Sequence, residues 1–494
     1  MGVIKRQGIK QTIVSYLGVT IGFVSTLFIY PLEESMYGIA KFMLGTAGLI
    51  GPVLSLGIDS LVIRFFPEFK NKNKSHFGFL GLLVLLATLS FLMATSILFL
   101  FKNDFYVLLE WLRMDVDVFS DNILEITTLT FLLILITILT KYISNFRLIV
   151  VPGIVNSLFF KIGLPILILL FHYQTISIPG FKWGLIIIHG IIVFSLLIYI
   201  HKIGELHLKP MTSILTRRRI SSMVRYSLYG MVGNFGSNIA FRVDAIMTAT
   251  LLSFRSTGIY GIAENITNVI ITPYQSMSSI ASPIISQNMK SEKFAEVNKL
   301  YKSSSLILMI AGITLLTCVY VSIDDIFRLS NKYDTLVMGK NVVLLLGIAK
   351  VFDMTTGLNS QIINYSPFYS FNLYMVITLG ILNIYFNFTF IPIYQLNGAA
   401  LATLLSLTLY NLLKFVFVWK KFDMQPFSWK HVWVLLIGIL AYLVGHFIPK
   451  TGYLLLTIAL KSGITLSIIA SLVLYFKISP DLNQLIYRLL KWRK

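Results

Sequence analysis

Charge and cysteine are both scarce in this chain. Only 13% of its 494 residues are Asp, Glu, Lys or Arg, where a soluble globular protein carries about a quarter. That shortage, with 56% hydrophobic residues and a mean hydropathy of +0.80, excludes an ordinary soluble domain and points to a polytopic membrane protein. The single cysteine, Cys318, excludes an internal disulfide; it sits in an apolar run, facing lipid or packed. No GxxxxGK loop is present, so ATP hydrolysis by that route is excluded. No HExxH or Cys–His set appears, so no metal site, cofactor or catalytic residue is expected. Long external loops are missing as well. The longest runs from about Lys102 to Asp121, and its Asp115 and Asp117 read as a solvated connection. A membrane glycan polymerase or ligase would want a larger external domain with positioned carboxylates.

Basic residues outnumber acidic ones, 41 to 21. Nucleic acid is not the implied partner, because the Lys and Arg residues lie in short loops between apolar segments, as the positive-inside rule distributes them. About twenty apolar residues span a bilayer as a helix. By that measure an all-α protein with about fourteen spans is expected, at 12–31, 37–63, 77–101, 122–144, 148–171, 183–201, 224–252, 258–285, 301–323, 336–358, 368–391, 397–419, 431–448 and 453–476. The first follows Lys5, Arg6 and Lys10 and is too long for a cleaved signal.

One set of loops carries Lys70, Lys72 and Lys74; Lys141 and Arg147; Lys202, Lys209 and Arg217–Arg219; Lys290, Lys293 and Lys299; Lys420, Lys421 and Lys430. The other is acidic at Glu33, Glu34, Asp104, Glu110, Asp324 and Asp325. The basic set is expected inside, with both termini cytoplasmic. The segment 477–494 opens with Ser479-Pro480-Asp481 and spaces Leu482, Leu485, Ile486, Leu489 and Leu490 helically among basic residues. It reads as a basic amphipathic helix on the inner membrane surface, against membrane lipid.

The chain writes YGIA twice, at Tyr37–Ala40 and Tyr260–Ala263, an offset of 223. The same offset superposes the ends of the spans before each copy, the following cytoplasmic loops and the starts of the next spans. Pro52 and Pro273 fall within two residues of equivalence, each expected in mid-helix, where it would break backbone bonds and favour a gate-like bend. Two parallel six-helix repeats follow, over 1–210 and 211–425, with extra helices at 426–476.

Ionisable groups inside spans are costly and face a cavity or a partner. Asn234, Asn238 and Arg242 recur at i, i+4 and i+8, as do Glu264, Asn268 and Thr272, with Asn265 alongside. Lys41, Asp59, Asn156 and Lys161 lie in other spans. Together they suggest a hydrated, net-cationic vestibule for a polar anionic cargo; interhelical bonding is the alternative. Lys350 and Asp353, at i, i+3, are expected to neutralise each other. Lys41 and Glu264 occupy equivalent repeat positions with opposite charge and are candidates to pair at an external gate.

The stretches IKRQGIKQTIVSYLGVTIGF, YGIA, LGIDSLVIRFFPEF and HFGFLG resemble the polysaccharide-transporter family, the oligosaccharide flippases of the multidrug/oligosaccharidyl-lipid/polysaccharide exporter superfamily. The resemblance implies two six-helix lobes in a V-shaped arrangement plus two C-terminal helices. It also implies a polyprenyl-diphosphate-linked oligosaccharide as cargo, flipped across a bacterial inner membrane by alternating access for O-antigen, capsule or exopolysaccharide. Arg242, Lys41 and Lys161 are then the candidates to attract the diphosphate. Coupling to a proton or sodium gradient is implied too, with Glu264, Asp244 and Asp59 as candidate carboxylates, and a polysaccharide polymerase or glycosyltransferases as partners. Two relatives in the superfamily fit less well. The lipid II flippases of peptidoglycan synthesis carry arginine in the first span, which this chain lacks. Cation-coupled multidrug exporters usually have twelve spans and serve cationic drugs.

Overall fold

The computed structural model describes residues 17–71, 75–146, 148, 150–210, 215–480 and 483. The amphipathic segment expected at 477–494, the motif residues before 17, and Lys72, Lys74 and Arg147 lie wholly or largely outside them. The described residues are mostly helical, with no strand among them. Ten of their helices are long and apolar enough to cross a membrane.

Two compact units divide the chain, Met1–Gly258 and Ile259–Lys494. In the first, a helical run Leu17–Leu54 covers what reads in sequence as one span and most of another. A π turn at Ser25–Ile29 and a 3-10 turn at Tyr30–Glu33 interrupt it where Pro31 removes a backbone donor. Its second part, α1 (Glu34–Leu54), ends sooner than the sequence suggests. Gly57 takes a left-handed turn, and α2 (Leu61–Phe69) restarts the chain. Pro52 therefore sits in the last turn of α1, not in mid-helix. Helices α3 (Phe79–Leu100), α4 (Ile123–Ser144), α5 (Val150–His172) and α6 (Ile178–Lys202) follow and match the expected spans closely. Then comes α7 (Arg217–Leu251), capped at its start by the Thr216 hydroxyl. It packs along α1. At 35 residues α7 is long enough to span, but its arginines and asparagines make it too polar to count among the ten.

The expected span 258–285 is two helices, α8 (Phe254–Thr267) and α9 (Thr272–Lys290). Pro273 opens α9, where its missing N–H costs nothing, and again is not in mid-helix. The second unit continues with α10 (Phe294–Val321), α11 (Lys340–Thr355), α12 (Tyr369–Tyr394), α13 (Leu396–Phe422), α14 (Trp429–His446) and α15 (Leu454–Tyr475). Of these six, α11 alone, at 16 residues, falls short of spanning length. Its neighbours α10 and α13 pack on either side of it.

The first YGIA copy marks a close crossing. A Cβ on Gly38 would stand 1.7 Å from the Phe254 carbonyl oxygen, and one on Gly258 1.9 Å from that of Glu34. Backbone meets backbone there, as small residues permit between membrane helices. Arg255 ties the same corner to Glu34 at 2.8 Å. Gly38→Ala should therefore lower the melting temperature in detergent clearly, while Gly22→Ala, with nothing within 4 Å of the added Cβ, should leave it unchanged.

Candidate functional site

In the first unit the polar stripe of α7 lies against α1. Asn238 donates through Nδ2 to the Gly48 carbonyl at 2.8 Å, and Arg242 through Nη1 to that of Leu44 at 2.9 Å. Arg242 Nε also reaches Asn238 Oδ1 at 3.4 Å. Gly48 makes room for the guanidinium, because a Cβ there would fall 2.4 Å from Arg242 Cζ. One turn toward the helix start, Asn234 Nδ2 donates to Asp59 Oδ2 at 3.1 Å, and Lys141 Nζ of α4 donates to the same oxygen at 2.5 Å. Ser227 closes the lower end with a 2.6 Å bond to the Leu56 carbonyl. The stripe seen in sequence thus meets Asp59 and, through it, a lysine that the loop-charge reading assigned to orientation alone.

The other candidates of this unit stand apart from that row. The Lys41 ammonium is 5.9 Å from the Tyr37 ring centre, and Tyr37 stacks on Tyr30 at 4.1 Å. Lys161 on α5 is half-buried and has no hydrogen-bond or ion-pair partner among the described residues. Its amine lies near Gly18, whose Cβ would be 3.2 Å away. Asn156 donates through Nδ2 to Thr140 Oγ1 at 2.8 Å, while its buried Oδ1 has no partner among the described residues. Asp244 is half-buried on α7.

In the second unit, Glu264 and Asn265 lie half-buried on α8, and Asn268 is exposed just past its end. Lys350 of α11 donates to Thr267 Oγ1 and Asn268 Oδ1, each at 2.8 Å. Asp353, expected to pair with Lys350, accepts instead from Asn411 Nδ2 at 2.8 Å. Lys41 and Glu264 fall in different compact units.

Two intramembrane lysines escaped the sequence reading. Lys414 in the middle of α13 is 2% exposed. It donates to Ser360 Oγ at 2.6 Å and stands 3.9 Å from the Tyr410 ring centre, with no carboxylate of the described residues within ion-pair distance. Lys461 on α15 meets Asp325 at 2.5 Å, with both side chains buried. Their signal was present, since each is a lone cation inside an apolar run, the same criterion that selected Lys161.

The Asp325–Lys461 pair gives a test of what such contacts do for folding. Lys461→Met leaves a buried carboxylate without its counter-ion. It should cost about 3–5 kcal/mol of stability, and Lys461→Met with Asp325→Leu should recover most of that loss in a detergent melting series.

No family model and no curated protein matches the sequence. Solved structures do. A lipid II flippase, MurJ, in an inward closed conformation is similar at TM-score 0.72 and 15% identity, over 95% of this chain and all of that one. An inward-facing multidrug resistance MATE family transporter of the MOP superfamily is similar at TM-score 0.61 and 11% identity, over 84% of this chain and 94% of its own. A MOP superfamily transporter from Pyrococcus furiosus, described as having a binding pocket of reversed polarity, follows at TM-score 0.53 and 11% identity, over 85% and 95%. The chain therefore has the all-α fold of the MOP superfamily transporters.

Proposed function

We propose that this chain flips a polyprenyl-diphosphate-linked oligosaccharide from the cytoplasmic to the external leaflet of a bacterial inner membrane, for surface polysaccharide synthesis. The observation that carries the reading is the likeness to a lipid II flippase across 95% of the chain, which agrees with the N-terminal resemblance to oligosaccharide flippases. Both point to a lipid-linked glycan as cargo. In this reading repeats over 1–210 and 211–425 expose their polar residues to each side in turn, with Lys41 and Glu264 as gate residues; Pro52 and Pro273, at helix ends rather than in mid-helix, drop out of that role. Lys41, Lys161 and Arg242 draw in the diphosphate, with Lys161 the cation most available to it. Asn234, Asn238, Asn265 and Asn268 complete the polar lining. Asp59, Asp244 and Glu264 are the carboxylates through which a proton or sodium gradient would act. A second reading, lipid II itself as cargo, is favoured by the same structural likeness.

Deleting the gene and quantifying lipid-linked glycans with surface polymer separates these. Loss of surface polysaccharide with internal accumulation of a diphosphate-linked oligosaccharide is the expected result. Lysis with accumulated lipid II would make the peptidoglycan precursor the cargo. Unchanged polysaccharide with new drug sensitivity would overturn both. In the complemented strain, Lys161→Ala should cut surface polymer several-fold, and Lys161→Arg should restore it.

A further inference from the structure

The first half of α9 presents a polar face where lipid should be. Helix α9 folds back on the membrane-crossing helix α10. Tyr274 and Met277 pack into a cluster with Leu306, Met309 and Ile310 of α10, and Ala281, Ile285 and Met289 join Val297 and Tyr301 lower down. The start of α9 is therefore level with the apolar part of α10. On the opposite side Thr272, Gln275, Ser276 and Ser279 are exposed. From Thr272 to Met289 there is no Asp, Glu, Lys, Arg or His. The Gln275 side chain has no hydrogen-bond partner among the described residues. An amide left unbonded at this depth needs water or a ligand, because hydrocarbon offers neither donor nor acceptor.

The hydrogen bonds of this face decide what it can hold. Thr272 Oγ1 donates to the Asn268 carbonyl at 3.5 Å, Ser276 Oγ to that of Thr272 at 3.3 Å, and Ser279 Oγ to that of Ser276 at 2.8 Å. Each hydroxyl has spent its one proton on the backbone and turns only lone pairs outward. At these hydroxyls a diphosphate, which brings lone pairs and negative charge, gains nothing, and the one other donor on the face, the Gln275 amide, is neutral where an anion calls for a cation. A sugar hydroxyl or acetamido N–H brings the missing proton. The cation at the head of the stripe, Lys350, is held by Thr267 and Asn268 rather than placed beside Ser276 or Ser279.

We propose that the face formed by Thr272, Gln275, Ser276 and Ser279 holds the uncharged, hydroxyl-rich glycan of the cargo and not its diphosphate. This rests on the flippase reading above.

The test uses the full chain in nanodiscs and two probes, a synthetic polyprenyl diphosphate and the same lipid carrying a neutral trisaccharide. Ser276→Ala with Ser279→Ala, and separately Gln275→Leu, should weaken binding of the glycan-bearing lipid about tenfold, the worth of one or two neutral hydrogen bonds. Binding of the bare diphosphate should stay within about twofold, and Ser276→Thr with Ser279→Thr, which keeps the oxygens, should restore the first affinity. Equal melting temperatures confirm that the variants fold. If both lipids weaken together, or neither does, the glycan assignment is wrong while the flippase reading stands. If the unsubstituted protein binds neither lipid, the flippase reading fails, and this one with it.

Discussion

A carboxylate at membrane depth must have its lone pairs bonded by the protein, because the hydrocarbon around it supplies no donor. Asp59 is where that requirement organises the first unit. It is 8% exposed and is bonded by Lys141 from α4 and Asn234 from α7. Three segments are thereby fixed to one point: the turn after α1, the C-terminal end of α4 and the middle of α7. From that point α7 is held along α1 by Asn238 and Arg242, which donate to backbone carbonyls of α1. Small residues then let the helices close, with Gly48 accommodating the guanidinium and Gly38 the chain at Phe254.

The second unit solves the same problem differently. Three of its carboxylates are bonded from three different helices: Asp324 by Lys340 of α11 at 2.7 Å, Asp325 by Lys461 of α15, and Asp353 by Asn411 of α13. Lys414 has a hydroxyl and an aromatic face in place of a carboxylate, an arrangement in which dipole and π-cloud stand in for a counter-ion. These contacts are internal to the bundle. Lys161 in one unit and Gln275 in the other have no such partner among the described residues.

The sequence made the helical layout legible because hydrophobic length is a strong signal in lipid. Helices α3 to α6, α10 and α12 to α15 lie close to their expected positions. What it hid was local backbone geometry. Pro52 and Pro273 look alike at the level of a repeat offset, yet one ends a helix and the other begins one. The difference comes from Gly57 in its left-handed turn and from the Asn268–Ile271 break, which no apolar pattern encodes. The Asn234–Asn238–Arg242 stripe was visible from its spacing. Its engagement with Asp59 and Lys141 was not, because partners far apart in sequence leave no periodic trace. Lys414 and Lys461 are each a lone cation inside a strongly apolar run.

In the proposed function, a lipid-linked glycan is moved across the membrane. The most direct measurement reconstitutes the purified chain into sealed vesicles that carry a polyprenyl-diphosphate trisaccharide only in the inner leaflet. An impermeant glycosidase added outside then reports arrival of the glycan. Time-dependent cleavage that requires the folded chain is the result expected here. Cleavage no faster than in protein-free vesicles, from protein shown to bind the same lipid, would contradict the account.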